Sequence, residues 1–239
     1  MILFPKEGMM KAVKIIKGVA LVGALLAMGS MVLASGGGPG VSAEEALQKL
    51  LDGNKRFVEN KMNACGPASS TSAREGLAKG QKPYAIILSC SDSRLPPEVI
   101  FDKGLGEIFV VRVAGNIPDP IVLGSIEYAA EHLGSPLVMV LGHERCGAVT
   151  ATVDAKGKPE GNIGAIVKKI QPAAKQAKKQ AAGKSKPEVV EAATDINTKM
   201  VAASLTKDSP VLKHLVKEGK IKIVTAKYDL DDGIVTVVK

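Results

Sequence analysis

The stretch YAIILSCSDSR, residues 84–94, ends an apolar run in a thiol, a carboxylate and a guanidinium. A second stretch, LVMVLGHERCG at 137–147, does the same, passing from apolar residues into an imidazole and a thiol. Nearly continuous apolar runs of this length suit strands buried on both faces, as in a parallel sheet sandwiched between helices. Three further runs, IFVVRV at 108–113, IKIVTA at 221–226 and IVTVV at 234–238, alternate with helical patterns. The expected fold is α/β, a mainly parallel four-stranded sheet flanked by helices. Only KYDLDDG separates the last two runs, so they read as a hairpin whose final strand lies antiparallel at the sheet edge.

Working outward, residues 163–218 are rich in Ala and Lys and are divided by Gly183, Pro187 and Pro210 into amphipathic helical pieces. Upstream, SAEE at 42–45 offers Ser42 as N-cap and Glu45 as its capping-box partner. Leu47, Leu50, Leu51, Phe57 and Val58 give that helix an apolar face, to be laid against the main body or a second subunit. The organisation expected is a signal segment at 1–34, a Gly-rich linker at 35–41, a helical arm at 42–83 and an α/β domain at 84–239 carrying both motifs.

The signal reading rests on Lys11, Lys14 and Lys17 ahead of the apolar run 18–34, which ends Val-Leu-Ala before the Gly-rich break. It places the mature protein in the periplasm or outside the cell, with membrane attachment only if the segment is not cleaved. The formal charge is +8, and residues 1–34, with four lysines and one glutamate, account for +3 of it. Many of the remaining lysines are scattered over 156–222, a solvated surface rather than a binding stripe. With no Trp and 3% aromatic residues, the chain lacks a stacking platform, and nucleic acid is excluded as a partner.

Two motifs at strand ends bring chemistry together. In extended chain Cys90 and Asp92 point the same way, with Arg94 close behind. His143 and Cys146, three apart, share a face if the chain turns helical after its strand. Strand ends of one parallel sheet are where ligands gather. Two thiolates and an imidazole suit a tetrahedral zinc ion, with a fourth position left for water or for Asp92. If Asp92 closes the shell, the same set reads as a structural zinc in a non-catalytic exported protein. A cysteine nucleophile is the weaker reading, because an exposed thiolate oxidises outside the cell and a ligated one is protected. Cys65, in a Gly- and Ser-rich loop, makes the cysteine count odd and reads as a spare thiol.

The segments CSDSRLPPEVIFDKGLGEIFVVRVAGNI and SIEYAAEHLGSPLVMVLGHERCGAV resemble the β-class carbonic anhydrases, and the likeness runs from about residue 43 to 239. The resemblance implies Zn2+ held by Cys90, His143 and Cys146, and reversible hydration of carbon dioxide to bicarbonate by a zinc-bound hydroxide. It implies that Asp92 orients that hydroxide and that Arg94 holds Asp92 off the metal. It also implies a homodimer or larger homo-oligomer, with Gln81, Phe109 and Tyr128 facing the substrate partly across the interface. Gly147 offers a backbone amide to a bound anion. Ile87 stands where the bicarbonate-regulated subgroup carries Trp, although Arg112 matches that subgroup's arginine. Some relatives act on carbonyl sulfide or carbon disulfide, the competing substrates.

Overall fold

The computed structural model describes residues 38–64, 66–157 and 159–238. The expected signal segment, residues 35–37 of the linker and Cys65 lie outside them. The elements are α1 (Ala43–Val58), α2 (Thr71–Leu77), β1 (Ala85–Ser89), α3 (Pro97–Ile100), β2 (Ile108–Arg112), α4 (Pro120–Glu131), β3 (Leu137–His143), α5 (Gly147–Asp154), α6 (Ile163–Gln180), α7 (Lys186–Asp208), α8 (Pro210–Lys217), β4 (Lys222–Tyr228) and β5 (Val235–Val238).

All five expected strands form one sheet in the order β2-β1-β3-β4-β5. The first four are parallel, and β5 pairs antiparallel with β4 at the edge. Every residue of β1 and β3 is buried, which explains why their sequences are apolar without alternation. Ile87, Met139 and Val224 belong to a core with Leu50, Phe101, Val149 and Ile170. On the other face, Ile86, Leu88 and Val140 pack with Ile126, Val201, Leu205 and Leu212. Each such aliphatic side chain contributes about 1.5–3 kcal/mol on burial. Among the described residues no helix is long and apolar enough to cross a membrane.

The capping box of Ser42 and Glu45 starts α1 as its sequence predicts. This helix is fastened to the body of its own chain. The buried Asn54 donates through Nδ2 to the carbonyls of Ile100 at 3.1 Å and Gly233 at 2.8 Å, and its Oδ1 accepts from the Val235 amide at 2.8 Å. Gly53 touches the Phe101 carbonyl so closely that a methyl group would collide with it.

Asp102, whose side chain is fully buried, accepts from Arg56 of α1 and from the amides of Asn63 and Ala64. Burial opposes ionisation there, but the Arg56 guanidinium and the two amides outweigh it and hold the carboxyl below its ordinary value of 3.8. A depressed folded-state pKa stabilises the fold fully above 3.8, and that stability fades as pH falls through the folded-state value. Asp102→Asn is therefore expected to cost about 1–3 kcal/mol at pH 7 and to flatten the acid limb of the stability profile. Chemical denaturation between pH 7 and 3 measures both; parallel curves for variant and parent would contradict the assignment.

Candidate metal centre

β1 and β3 lie side by side in parallel, with Ser89 paired to Leu141, so Cys90 leaves its strand next to the Gly142–His143 end of β3. The Sγ atoms of Cys90 and Cys146 and a ring nitrogen of His143 all lie within 4.8 Å of one another, and the three residues are buried. The structure brings this pair of motifs together by a different route from the helical one. His143 is the last residue of β3, Arg145 turns the chain in a left-handed conformation at φ 49°, and Cys146 is the N-cap of α5. A helix cannot begin at His143 because its backbone is still in register with Tyr228 of β4.

The residues present fit a metal ion. Both ring nitrogens of His143 are buried without a hydrogen-bond partner, a state that costs about 1–3 kcal/mol unless something occupies them. The neighbouring Cys146 thiol, against the cost of burial and together with His143 and the Gly115 amide at 3.2 Å, holds Cys90 below the ordinary thiol range. Closeness to that sulfur, together with burial, pushes Cys146 above it. Two soft sulfurs and an imidazole favour zinc and leave one tetrahedral position open.

Asp92 does not join this cluster. Its side chain begins a turn, accepting the Arg94 amide at 3.0 Å on Oδ1. The Arg94 guanidinium grips both carboxylate oxygens, Nε to Oδ1 at 2.9 Å and Nη2 to Oδ2 at 2.7 Å. That fork lowers the Asp92 pKa to about 2. Arg94 is steadied in turn by the Arg145 carbonyl at 3.4 Å. Arg112 pins the backbone of this loop, donating to the carbonyls of Cys90 at 3.0 Å and Asp92 at 2.6 Å.

Three residues assigned to the substrate by resemblance lie elsewhere on this chain. Gln81 is exposed and precedes β1, whereas Cys90 follows it. Phe109 pairs with Ile86, four residues before Cys90 and so about 13 Å back along the strand. Its ring sits 6.4 Å from that of Tyr128 on α4, which is 49% exposed. Gly147 opens α5 as anticipated, exposed and with free space where a side chain would stand.

Sequence reasoning missed Gly115, whose amide reaches Cys90. The Gly-Asn pair in RVAGN was the available signal, since such pairs mark left-handed turns, and Gly115 and Asn116 lie at φ 70° and 44°. A second acidic group, Glu144, Asp229 and Asp231, is already engaged by Arg145, which lies 2.9 Å from Asp231 and 3.6 Å from Glu144.

The carbonic anhydrase family profile matches residues 85–235. Carbonic anhydrase 2 of Mycobacterium tuberculosis is 39% identical over 198 residues, covering 82% of this chain and 92% of that protein. A carbonic anhydrase of Mycolicibacterium smegmatis is 38% identical, covering 82% and 93%. Among solved structures, the β-carbonic anhydrase CafA of Aspergillus fumigatus superposes with a TM-score of 0.65 at 25% identity, over 82% of this chain and 90% of its own. One of two tetrameric β-carbonic anhydrases of Sordaria macrospora shares the fold with a TM-score of 0.63 at 24% identity, over 69% and 85%. Sequence profile, full-length relatives and shared architecture agree, and the chain belongs to the β-class carbonic anhydrases.

Proposed function

We propose that this carbonic anhydrase interconverts carbon dioxide and bicarbonate at a zinc ion held by Cys90, His143 and Cys146. The observation that carries the reading is the buried three-donor cluster, with an unpartnered imidazole, beside a carboxylate locked by arginine. Zinc held there would supply the charge that brings the ionisation of water down to about 7. Asp92 stays ionised, so it accepts a hydrogen bond from the attacking group and fixes its orientation. Arg94 occupies both carboxylate oxygens and would keep Asp92 off the ion. The Gly147 amide, at the start of α5, is free to meet the bicarbonate anion.

Stopped-flow assay of the zinc-loaded protein is expected to show carbon dioxide hydration rising as pH passes through about 7, with little turnover of carbonyl sulfide or carbon disulfide. Sulfide release without hydration would overturn the substrate assignment.

Gln81, Phe109 and Tyr128 serve the substrate in this proposal from across the interface of a homodimer or larger assembly. The half-exposed edge strand β2 and the exposed ring of Tyr128 support a second copy on that side. Sedimentation as a fully active monomer would remove their role. Export rests on the basic-then-apolar order of residues 1–34. Amino-terminal sequencing of periplasmic protein should begin at Ser35, and a cytoplasmic product retaining the segment would refute it.

A further inference from the structure

Helix α7 supplies no metal ligand, yet it touches the segments that carry them. Oε1 of Glu191 accepts the Arg145 amide at 2.8 Å, within the left-handed turn between His143 and Cys146. Six residues further on, Asn197, 3% exposed, donates from Nδ2 to the Gly115 carbonyl at 3.0 Å. The amide of that same glycine donates to the Cys90 sulfur at 3.2 Å. Thr198 packs so tightly on Gly142, the residue before His143, that no side chain fits there. The two hydrogen bonds span 46 and 82 residues of sequence, so local chain geometry does not impose them.

We propose that Glu191 and Asn197 are positioning residues for the metal ligands, a clamp in which α7 holds the Arg145 turn on one side and aims the Gly115 amide at the Cys90 sulfur on the other. The proposal rests on Cys90, His143 and Cys146 being the ligands. Gly115 needs such an anchor. It lies at φ 70°, and a Cβ there would meet Ile170 Cδ1 at 2.6 Å and Ala148 Cβ at 3.2 Å. Glycine is thus the residue that fits, and glycine has the widest backbone freedom of any residue. Tying its carbonyl to a buried side chain removes that freedom and fixes the direction of its N–H. The N–H stabilises charge on the thiolate and orients a lone pair. On the other side, Glu191 is itself held by Lys227 at 2.9 Å, which keeps its carboxylate in place under the turn. Partners of this kind around metal ligands typically govern 10- to 100-fold in metal affinity.

A role limited to helix packing would move stability alone, and the test separates the two. Zinc affinity is measured by chelator competition, and the sulfur-to-metal charge-transfer band is recorded with cobalt substituted, for Asn197→Leu and Glu191→Ala. Thermal melting of the metal-free proteins accompanies both. Asn197→Leu is expected to weaken zinc binding by about 10- to 100-fold and to move the cobalt band to longer wavelength, because the sulfur lone pair loses its N–H partner. Glu191→Ala is expected to weaken binding by about 10-fold with the band unmoved, since it disturbs the Arg145 turn and not the Gly115 amide. Affinities within about twofold of the parent and an unmoved band in both variants would overturn the clamp, whatever happens to melting. If Asn197→Leu does not fold, Asn197→Asp keeps the shape and replaces the donor with an acceptor, and the same readings apply. Metal binding is read here without turnover. A variant series that behaves as expected in a protein that hydrates no carbon dioxide would remove the proposed activity and leave the clamp standing.

Discussion

Cys146→Ser is expected to leave a folded protein that has lost its metal and, with it, hydration by about 10³-fold or more, a barrier increase of about 4 kcal/mol. The substitution isolates the ligand from the fold. Cys146 is the N-cap of α5 but makes no side-chain cap hydrogen bond, and serine is a preferred residue at that position. The two side chains are nearly the same size, so the buried site is neither emptied nor overfilled. What changes is the donor: a serine hydroxyl does not ionise readily and is a hard, weak partner for zinc. Elemental analysis after dialysis, far-ultraviolet dichroism and stopped-flow hydration together check this. A metal-loaded, active Cys146→Ser protein would remove Cys146 from the ligand set.

Asp92→Ala is expected to behave in the opposite sense, keeping zinc while turnover falls by about 10²- to 10⁴-fold. Its carboxylate lies outside the buried ligand cluster and is satisfied through both oxygens by Arg94, so zinc affinity should change little. The loss would fall on the step that needs a fixed acceptor beside the ligand cluster. Asp92 is held at a pKa of about 2, so it is a charged acceptor throughout the working range and does not itself titrate near neutrality. Zinc content and the dependence of rate on carbon dioxide concentration are the measurements. Unchanged turnover would show that Asp92 only shapes its loop, and lost zinc would show that it is a ligand in the resting protein.

The contrast between these substitutions follows from how the two motifs are built. Cys90, His143 and Cys146 sit in near-complete burial with nothing else to satisfy the imidazole. Asp92 and Arg94 stand at the rim, the arginine half-exposed, where the fork can be remade or broken. Burial leaves the first group no partner but one another, whereas the second keeps a partly exposed ion pair.

Much of this was legible in the residues alone. Apolar runs located all five strands, and those of β1 and β3 are unbroken because a strand covered on both faces has no polar side to show. Serine with glutamate three residues later determined where α1 starts, since the cap is a local hydrogen-bond cycle. The thiol, imidazole and thiol that the fold brings together were written at the strand ends. Tertiary structure alone decided the rest, for reasons of distance. It chose the chain's own body as the seat of α1, through an Asn54 that looks unremarkable in sequence but binds partners as far as 181 residues away. It converted the expected helical spacing of His143 and Cys146 into a strand end and a left-handed turn, because pairing with β4 holds His143 extended. It left Gln81 at the far end of β1 from Cys90, a separation set by the rise of the strand itself. And it brought Asn197 to Gly115 and Glu191 to Arg145, contacts that no periodicity or motif records because a helix of ordinary composition makes them only once it is packed.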